Sequence, residues 1–250
     1  KFASYGAMGW VIGTFLAGVF ALYSLYAPFL LSTILFGIAF AISLTMPFPK
    51  EVLLKVPIFP INVIKRNAPA YVAVLMRHTG ANMIWVVYPI FLARINPDPL
   101  WIGAVYAVNA GTQFIIMQLI DRYDGRKLLA LGLLLSALTF YLFTISKTEW
   151  MVFMDQLFLG ASWACMYVGA LKCILSTNVE RSTSSGLLDS TLSLSMIIGA
   201  VAGGFVAAEY GYIATMYAAM VMSIISMGVF AFMAAGRRSA ASAQSPDPAP

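Results

Sequence analysis

The chain has 250 residues, of which 61% are hydrophobic and only 10% charged, with a formal net charge of +5. A soluble domain carries about 25% charged residues. The composition therefore excludes an ordinary water-soluble fold and points to an all-α polytopic membrane protein whose first partner is the lipid bilayer. The positive balance is explained by where the cations fall relative to the membrane, and it is no nucleic-acid signal.

A spanning helix needs about 20 apolar residues. Eight segments qualify: 3–23, 27–47, 68–94, 100–120, 128–145, 150–176, 184–208 and 212–235. The first is rich in glycine, at Gly6, Gly9, Gly13 and Gly18. The third is long and carries Arg77, His78 and Asn82, with Pro89 placed to kink it. The sixth holds Asp155 and Lys172. Gly9 with Gly13, and Gly199 with Gly203, have the spacing that lets helix backbones approach closely. Lys1 in place of Met, with membrane-like sequence beginning at Gly6, points to a fragment or a processed chain.

Most connections are short, as for antiparallel neighbours. The exception is 48–67, with Pro49, Pro57 and Pro60, four cations and an apolar middle, which reads as a loop lying partly along the membrane surface. Past Gly236 the chain turns polar, and 237–250 reads as a disordered tail.

Five charges in seven residues, Asp121-Arg122-Tyr123-Asp124-Gly125-Arg126-Lys127, make a tight turn at a membrane surface. Placing that turn in the cytoplasm puts both ends of the chain there too. The inner side then holds Lys1, Lys50, Lys55, Lys65, Arg66, Arg122, Arg126, Lys127, Arg181, Arg237 and Arg238, and the outer side only Arg94 and Lys147. That asymmetry fits the positive-inside rule for a multi-pass protein of the cell membrane.

Polar groups within the spans are costly and mark either a cavity or interhelical packing. His78, Asn82, Trp85 and Pro89 share one helical face. So do Tyr106, Asn109 and Gln113 on the fourth segment, and Gln156, Gly160, Trp163 and Tyr167 on the sixth. A polar and aromatic lining drawn from several helices suits a small-molecule site near the midplane. Arg77 has three readings: it binds an anionic substrate, pairs with an acid such as Asp155, or snorkels to the headgroups. His78 either accepts a proton or packs neutral. For Lys172 snorkelling is expected, and for Asp155 a shallow, wetted charge. Cys165 and Cys173 lie roughly 12 Å apart along one helix, too far for a disulfide. With one histidine, no metal cluster can be assembled. No glycine-rich nucleotide fingerprint or nucleophile elbow is present, so neither a cofactor nor catalytic residues are expected.

The 121–127 turn resembles the cytoplasmic loop motif of the major facilitator superfamily, in which glycine and three residues precede Asp-Arg, one residue, then Gly-Arg-Arg or Gly-Arg-Lys. Asp124 is an extra residue, and Met117 stands where the first glycine is expected. Residues 186–204, with Gly199 and Gly203-Gly204 ahead of Tyr210-Gly211-Tyr212, also resemble that family's eleventh helix. The resemblance aligns the eight segments with helices five to twelve of a twelve-helix fold. It implies that 1–47 end an N-terminal bundle, 48–67 form the central cytoplasmic loop, 68–236 form the C-terminal six-helix bundle and 237–250 a cytoplasmic tail. The family's first four helices have no counterpart here.

The resemblance further implies an alternating-access transporter of a small solute, with proton coupling left open. It implies a cytoplasmic gate of Asp121, Arg122, Gly125, Arg126 and Lys127, with Asp121 near the start of the seventh segment and Asp189 beside it. The substrate cavity would draw on Arg77, His78, Asn82, Trp85, Tyr106, Asn109, Gln113, Gln156, Trp163 and Tyr167. The alternative is a polytopic membrane enzyme acting on lipid, built around His78, Arg77 and Asp155.

Overall fold

Residues 2–46, 60–178 and 180–243 are described by a computed structural model. They form α1 (Phe2–Ala21), α2 (Ala27–Ser43), α3 (Ile61–Arg66), α4 (Ala68–Trp85), α5 (Tyr88–Ile95), α6 (Pro99–Leu119), α7 (Gly125–Ile145), α8 (Glu149–Thr177), α9 (Arg181–Tyr210) and α10 (Tyr212–Ala243), with a 3₁₀ turn at Ile120–Arg122. The fold is all-helical and polytopic.

The helix starts follow from local chemistry. Asp98 accepts hydrogen bonds from the Leu100 and Trp101 amides at 3.2 and 3.3 Å, and Asp124 from those of Arg126 and Lys127, both at 3.0 Å. Each carboxylate satisfies amides that the first helical turn leaves unpaired. Asp124, the extra residue of the charged turn, thus starts α7. Proline stands in the first two positions of α2, α4, α5 and α6, where its missing N–H costs nothing. At the α9–α10 joint Gly211 takes φ +83°, a conformation open to glycine.

Among the described residues six helices are long and apolar enough to cross a membrane: Ser4–Ala21, Pro99–Arg122, Gly125–Ile145, Glu149–Thr177, Arg181–Tyr210 and Tyr212–Gly236. The other two expected spans differ from that pattern. The second stops at Ser43, short of residue 47. The third is not one helix: it breaks at Val86 and Val87, and α5 begins with Pro89 in its first turn. The proline ring cannot lie inside a regular helix, so the kink becomes a break. The tail also differs, because α10 continues to Ala243 through the first half of the segment expected to be disordered. Most of the 48–67 connection lies outside the described residues, as does 244–250. Its end is the short helix α3.

α7 lies along α8, α10 against α4 and α7, and α9 against α4, while α6 bridges α8 and α1. The contacts run through glycine. A Cβ on Gly132 would strike the Met166 backbone, and one on Gly169 the Leu129 backbone, so α7 and α8 touch along their main chains. Gly199 and Gly203 do the same against α4, where a Cβ would stand 2.5 Å from the Thr79 carbonyl oxygen and the Met83 Cα respectively. Gly9 and Gly13, read as an equivalent pair, face open space. α1 instead meets α6 through Gly18 and Gly103.

Candidate functional site

Arg77, on α4, is 1% exposed. Its Nε donates to Ser136 Oγ of α7 at 2.7 Å and its Nη2 to Ser162 Oγ of α8 at 3.3 Å. Each serine passes its own proton to a carbonyl one turn back, Gly132 and Leu159, so its lone pairs are left for the guanidinium. Its Cζ also lies over two rings, 5.2 Å from the Phe140 centroid and 5.7 Å from that of Trp163. No carboxylate pairs with Arg77 among the described residues. Two expectations are thereby corrected: Arg77 neither snorkels to the headgroups nor pairs with Asp155. Asp155 itself is buried, 3% exposed rather than shallow and wetted, and accepts a 2.5 Å hydrogen bond from Ser146 at the end of α7.

Next to Arg77, the His78 ring lies 5.0 Å from Trp163, and Trp163 stacks on Tyr167 at 5.7 Å. The Nδ1 of His78 is buried with no hydrogen-bond partner. A second aromatic group joins Trp85, Tyr88 and Tyr106, with centroids 5.3 to 6.2 Å apart. Three amides of the expected lining are themselves hydrogen-bonded. Asn82 donates to the His78 carbonyl at 2.7 Å, Gln113 to Asn109 at 2.6 Å and Gln156 to the Tyr88 hydroxyl at 2.5 Å.

The expected lining therefore splits by depth. Trp85, Tyr106, Gln113, Trp163 and Tyr167 are half-buried and keep part of their surface open. Arg77, His78, Asn82, Asn109 and Gln156 are enclosed within the bundle. The sequence reading had not singled out Tyr88, Ser136, Ser162 or Phe140. Hydroxyls and rings on apolar helices carry no periodic signal that separates them from ordinary core residues. The rival set of His78, Arg77 and Asp155 shares no hydrogen bond. Arg77 is held by serines of α7 and α8, and Asp155 by Ser146.

In the charged turn, Asp121 does not reach the start of α9. Its side chain is 70% exposed and stands 3.7 Å from Lys172 Nζ of α8. Lys172 also donates to the backbone carbonyls of Asp121 and Tyr123. It thereby ties the turn to the last third of α8. An ion pair this exposed contributes below about 1 kcal/mol. Arg122 lies over its neighbour Tyr123 at 5.1 Å. A Cβ on Gly125 would stand 2.7 Å from the Lys172 Cβ and 3.1 Å from the Gly169 carbonyl and the Cys173 amide, so the turn packs closely on α8. Arg126, Lys127 and Asp189 are exposed.

Residues 70–249 match the family model described as Major Facilitator Superfamily. The chain is 27% identical over 146 residues to multidrug resistance protein 1 of Bacillus subtilis (strain 168), covering 56% of this chain and 38% of that protein. It is 28% identical over 134 residues to multidrug resistance protein 2 of the same organism, covering 51% of this chain and 34% of that protein. The chain thus spans little more than a third of these curated relatives.

Proposed function

The chain belongs to the Major Facilitator Superfamily, and from that premise we propose that it is the C-terminal portion of a secondary transporter that exports small organic molecules by alternating access. The observation that carries this reading is the half-buried face of Trp85, Tyr106, Gln113, Trp163 and Tyr167, supplied by α4, α6 and α8. Broad aromatic surfaces with few fixed hydrogen bonds accept varied apolar solutes. The two multidrug resistance relatives favour export of drugs over uptake of a single nutrient.

In this reading residues 1–47 close an N-terminal bundle, 68–236 form the second bundle, and the 121–127 turn lies in the cytoplasm. The gate is the tie between the turn and Lys172, made in one conformation and broken in the other. Weakness suits it, since a contact below about 1 kcal/mol can be traded without a large barrier. Arg77 acts as a positioning residue, orienting α7 and α8 around Trp163.

The test is ethidium accumulation in drug-sensitive bacteria expressing the complete protein. Accumulation is expected to fall relative to empty vector, and Trp163→Ala is expected to restore it at unchanged protein content in the membrane. Equal accumulation with and without the protein, repeated across a panel of lipophilic cations and neutral dyes, would overturn export of drugs. Unchanged export by Trp163→Ala and Tyr106→Ala would overturn the aromatic face as the site.

A further inference from the structure

A cavity of about 600 Å³ opens at the membrane face that carries the charged turn, between the starts of α4 and α7, the end of α8 and α10 at Phe230 and Ala234. It shares no residue with the aromatic face, although Lys172, which ties the charged turn to α8 in the transport reading, stands in its wall. Three cations line it, Arg66, Arg126 and Lys172, against one acid, Asp124. Asp124 is turned toward the α7 amides, which use its charge. Arg66 is held in place by the Thr177 carbonyl at 3.2 Å and Asn178 Oδ1 at 3.1 Å, with Glu180 3.7 Å away. The Arg126 side chain has no hydrogen-bond or ion-pair partner among the described residues, although it lies beside the packed end of α8.

Asn67 points to what the cavity takes. It is 5% exposed and lines the cavity, and its amide Nδ2 has no hydrogen-bond partner. A buried donor left without an acceptor costs about 1–3 kcal/mol, and an anionic oxygen in the cavity would satisfy it. α10 adds an apolar part of the lining, Phe230 and Ala234. A free inorganic anion gains nothing from that part, whereas the glycerol and first acyl carbons of a phospholipid would cover it. The helix ends place the cavity at headgroup depth, where basic pockets between spanning helices take acidic lipid headgroups.

We propose that this cavity binds the phosphate of an anionic phospholipid, with Asn67 and Arg126 as its donors, Arg66 and Lys172 as flanking cations, and Phe230 and Ala234 against the lipid's glycerol end. The occupant docks the membrane to the same segment that holds the charged turn, so the acidic lipid content of the bilayer bears on how firmly α4, α7 and α8 are held together there.

The experiment is native mass spectrometry of the protein in nonionic detergent, titrated separately with dioctanoyl phosphatidylglycerol, dioctanoyl phosphatidylcholine and inorganic phosphate. Phosphatidylglycerol is expected to bind more tightly than phosphatidylcholine, and Arg126→Gln to weaken it about fivefold, the loss of one cation near the surface. Asn67→Leu is expected to weaken it as well, while Lys147→Glu, at the opposite ends of the helices, leaves it unchanged. Because Asn67→Leu alters a buried site, Arg126→Gln, on an exposed side chain, gives the deciding value, with elution as a single size-exclusion peak as the folding control. Equal binding of the two lipids, or undiminished phosphatidylglycerol binding by Arg126→Gln, overturns the proposal. Inorganic phosphate binding as tightly as the lipid overturns the lipid as occupant.

Discussion

The α7–α8 seam and the α1–α2 pair are both apolar and both carry glycine, yet only the seam is closed. In the seam, Gly132 and Gly169 sit so near the facing main chain that neither tolerates a Cβ. In α1, Gly6, Gly9 and Gly13 have nothing within 4 Å, and α2 has no buried residue along its length. Phe36 of α2 is 76% exposed, while Phe140 of α7 is 1% exposed. A helix that is apolar all round is built for lipid or for other helices, so α1 and α2 present surface that the described residues leave uncovered. Glycine in a spanning helix therefore does not mark a contact by itself. It marks one where a partner backbone is present, as Gly18 shows against Gly103.

The seam should be the easiest place to destroy the fold. Gly132→Leu forces α7 and α8 apart, and overpacking of this kind costs about 1–3 kcal/mol or more. The expected outcome is loss of the monodisperse peak in size-exclusion chromatography. If Gly132→Leu elutes and melts like wild type, the closed seam is wrong.

Within the same seam, Ser136→Ala removes the acceptor of Arg77 Nε and leaves a buried charged donor short of a partner. The expected loss is about 1–3 kcal/mol of stability in detergent, read by thermal unfolding. In an Arg77→Met background the same serine change should cost little, because Ser136 then bonds only the Gly132 carbonyl of its own helix. A double-mutant cycle with no coupling between the two positions would break the assignment.

At the end of the seam, Lys172→Gln loosens the tie between the charged turn and α8. Its effect on stability should be below about 1 kcal/mol and should shrink as salt is added. Thermal midpoints at low and high ionic strength check this, and an effect that grows with salt would contradict the ion pair.

The smallest effect belongs to the open side. Gly9→Leu should leave the thermal midpoint of this chain within about 0.5 kcal/mol of wild type, since nothing stands in the way of the new side chain. The same variant placed in the complete protein sharpens the contrast. A large loss there, with none in this chain, means that further helices cover the α1 face.

Much of the architecture was legible beforehand, because a bilayer imposes a simple rule: a segment crossing it must satisfy its own backbone, and helices of about 20 apolar residues do so. The spans at 100–120, 128–145, 150–176, 184–208 and 212–235 correspond to α6 to α10 within a few residues, apart from the longer run of α10. The glycine contacts of α9 were also readable, and so was the disturbance at Pro89, though as a kink and not as a break. The partners of the buried charges were not readable. Sign alone allows Asp155 as one candidate partner for Arg77, whereas the neutral hydroxyl of Ser146 holds it. Asp124 looked like an interruption of a motif, and its role appears once it caps α7.

The sequence by itself determined that this is a polytopic helical membrane protein, where most of its helices run, and which turn gathers its charge. These properties depend on composition and local order along the chain. Only the tertiary structure decided that Arg77 rests on Ser136 and Ser162, 59 and 85 residues away, that Lys172 holds the charged turn, and that Gly132 rather than Gly9 is jammed against a neighbour. Those contacts depend on which helix faces meet, and apolar helices of similar composition give no local cue to that choice.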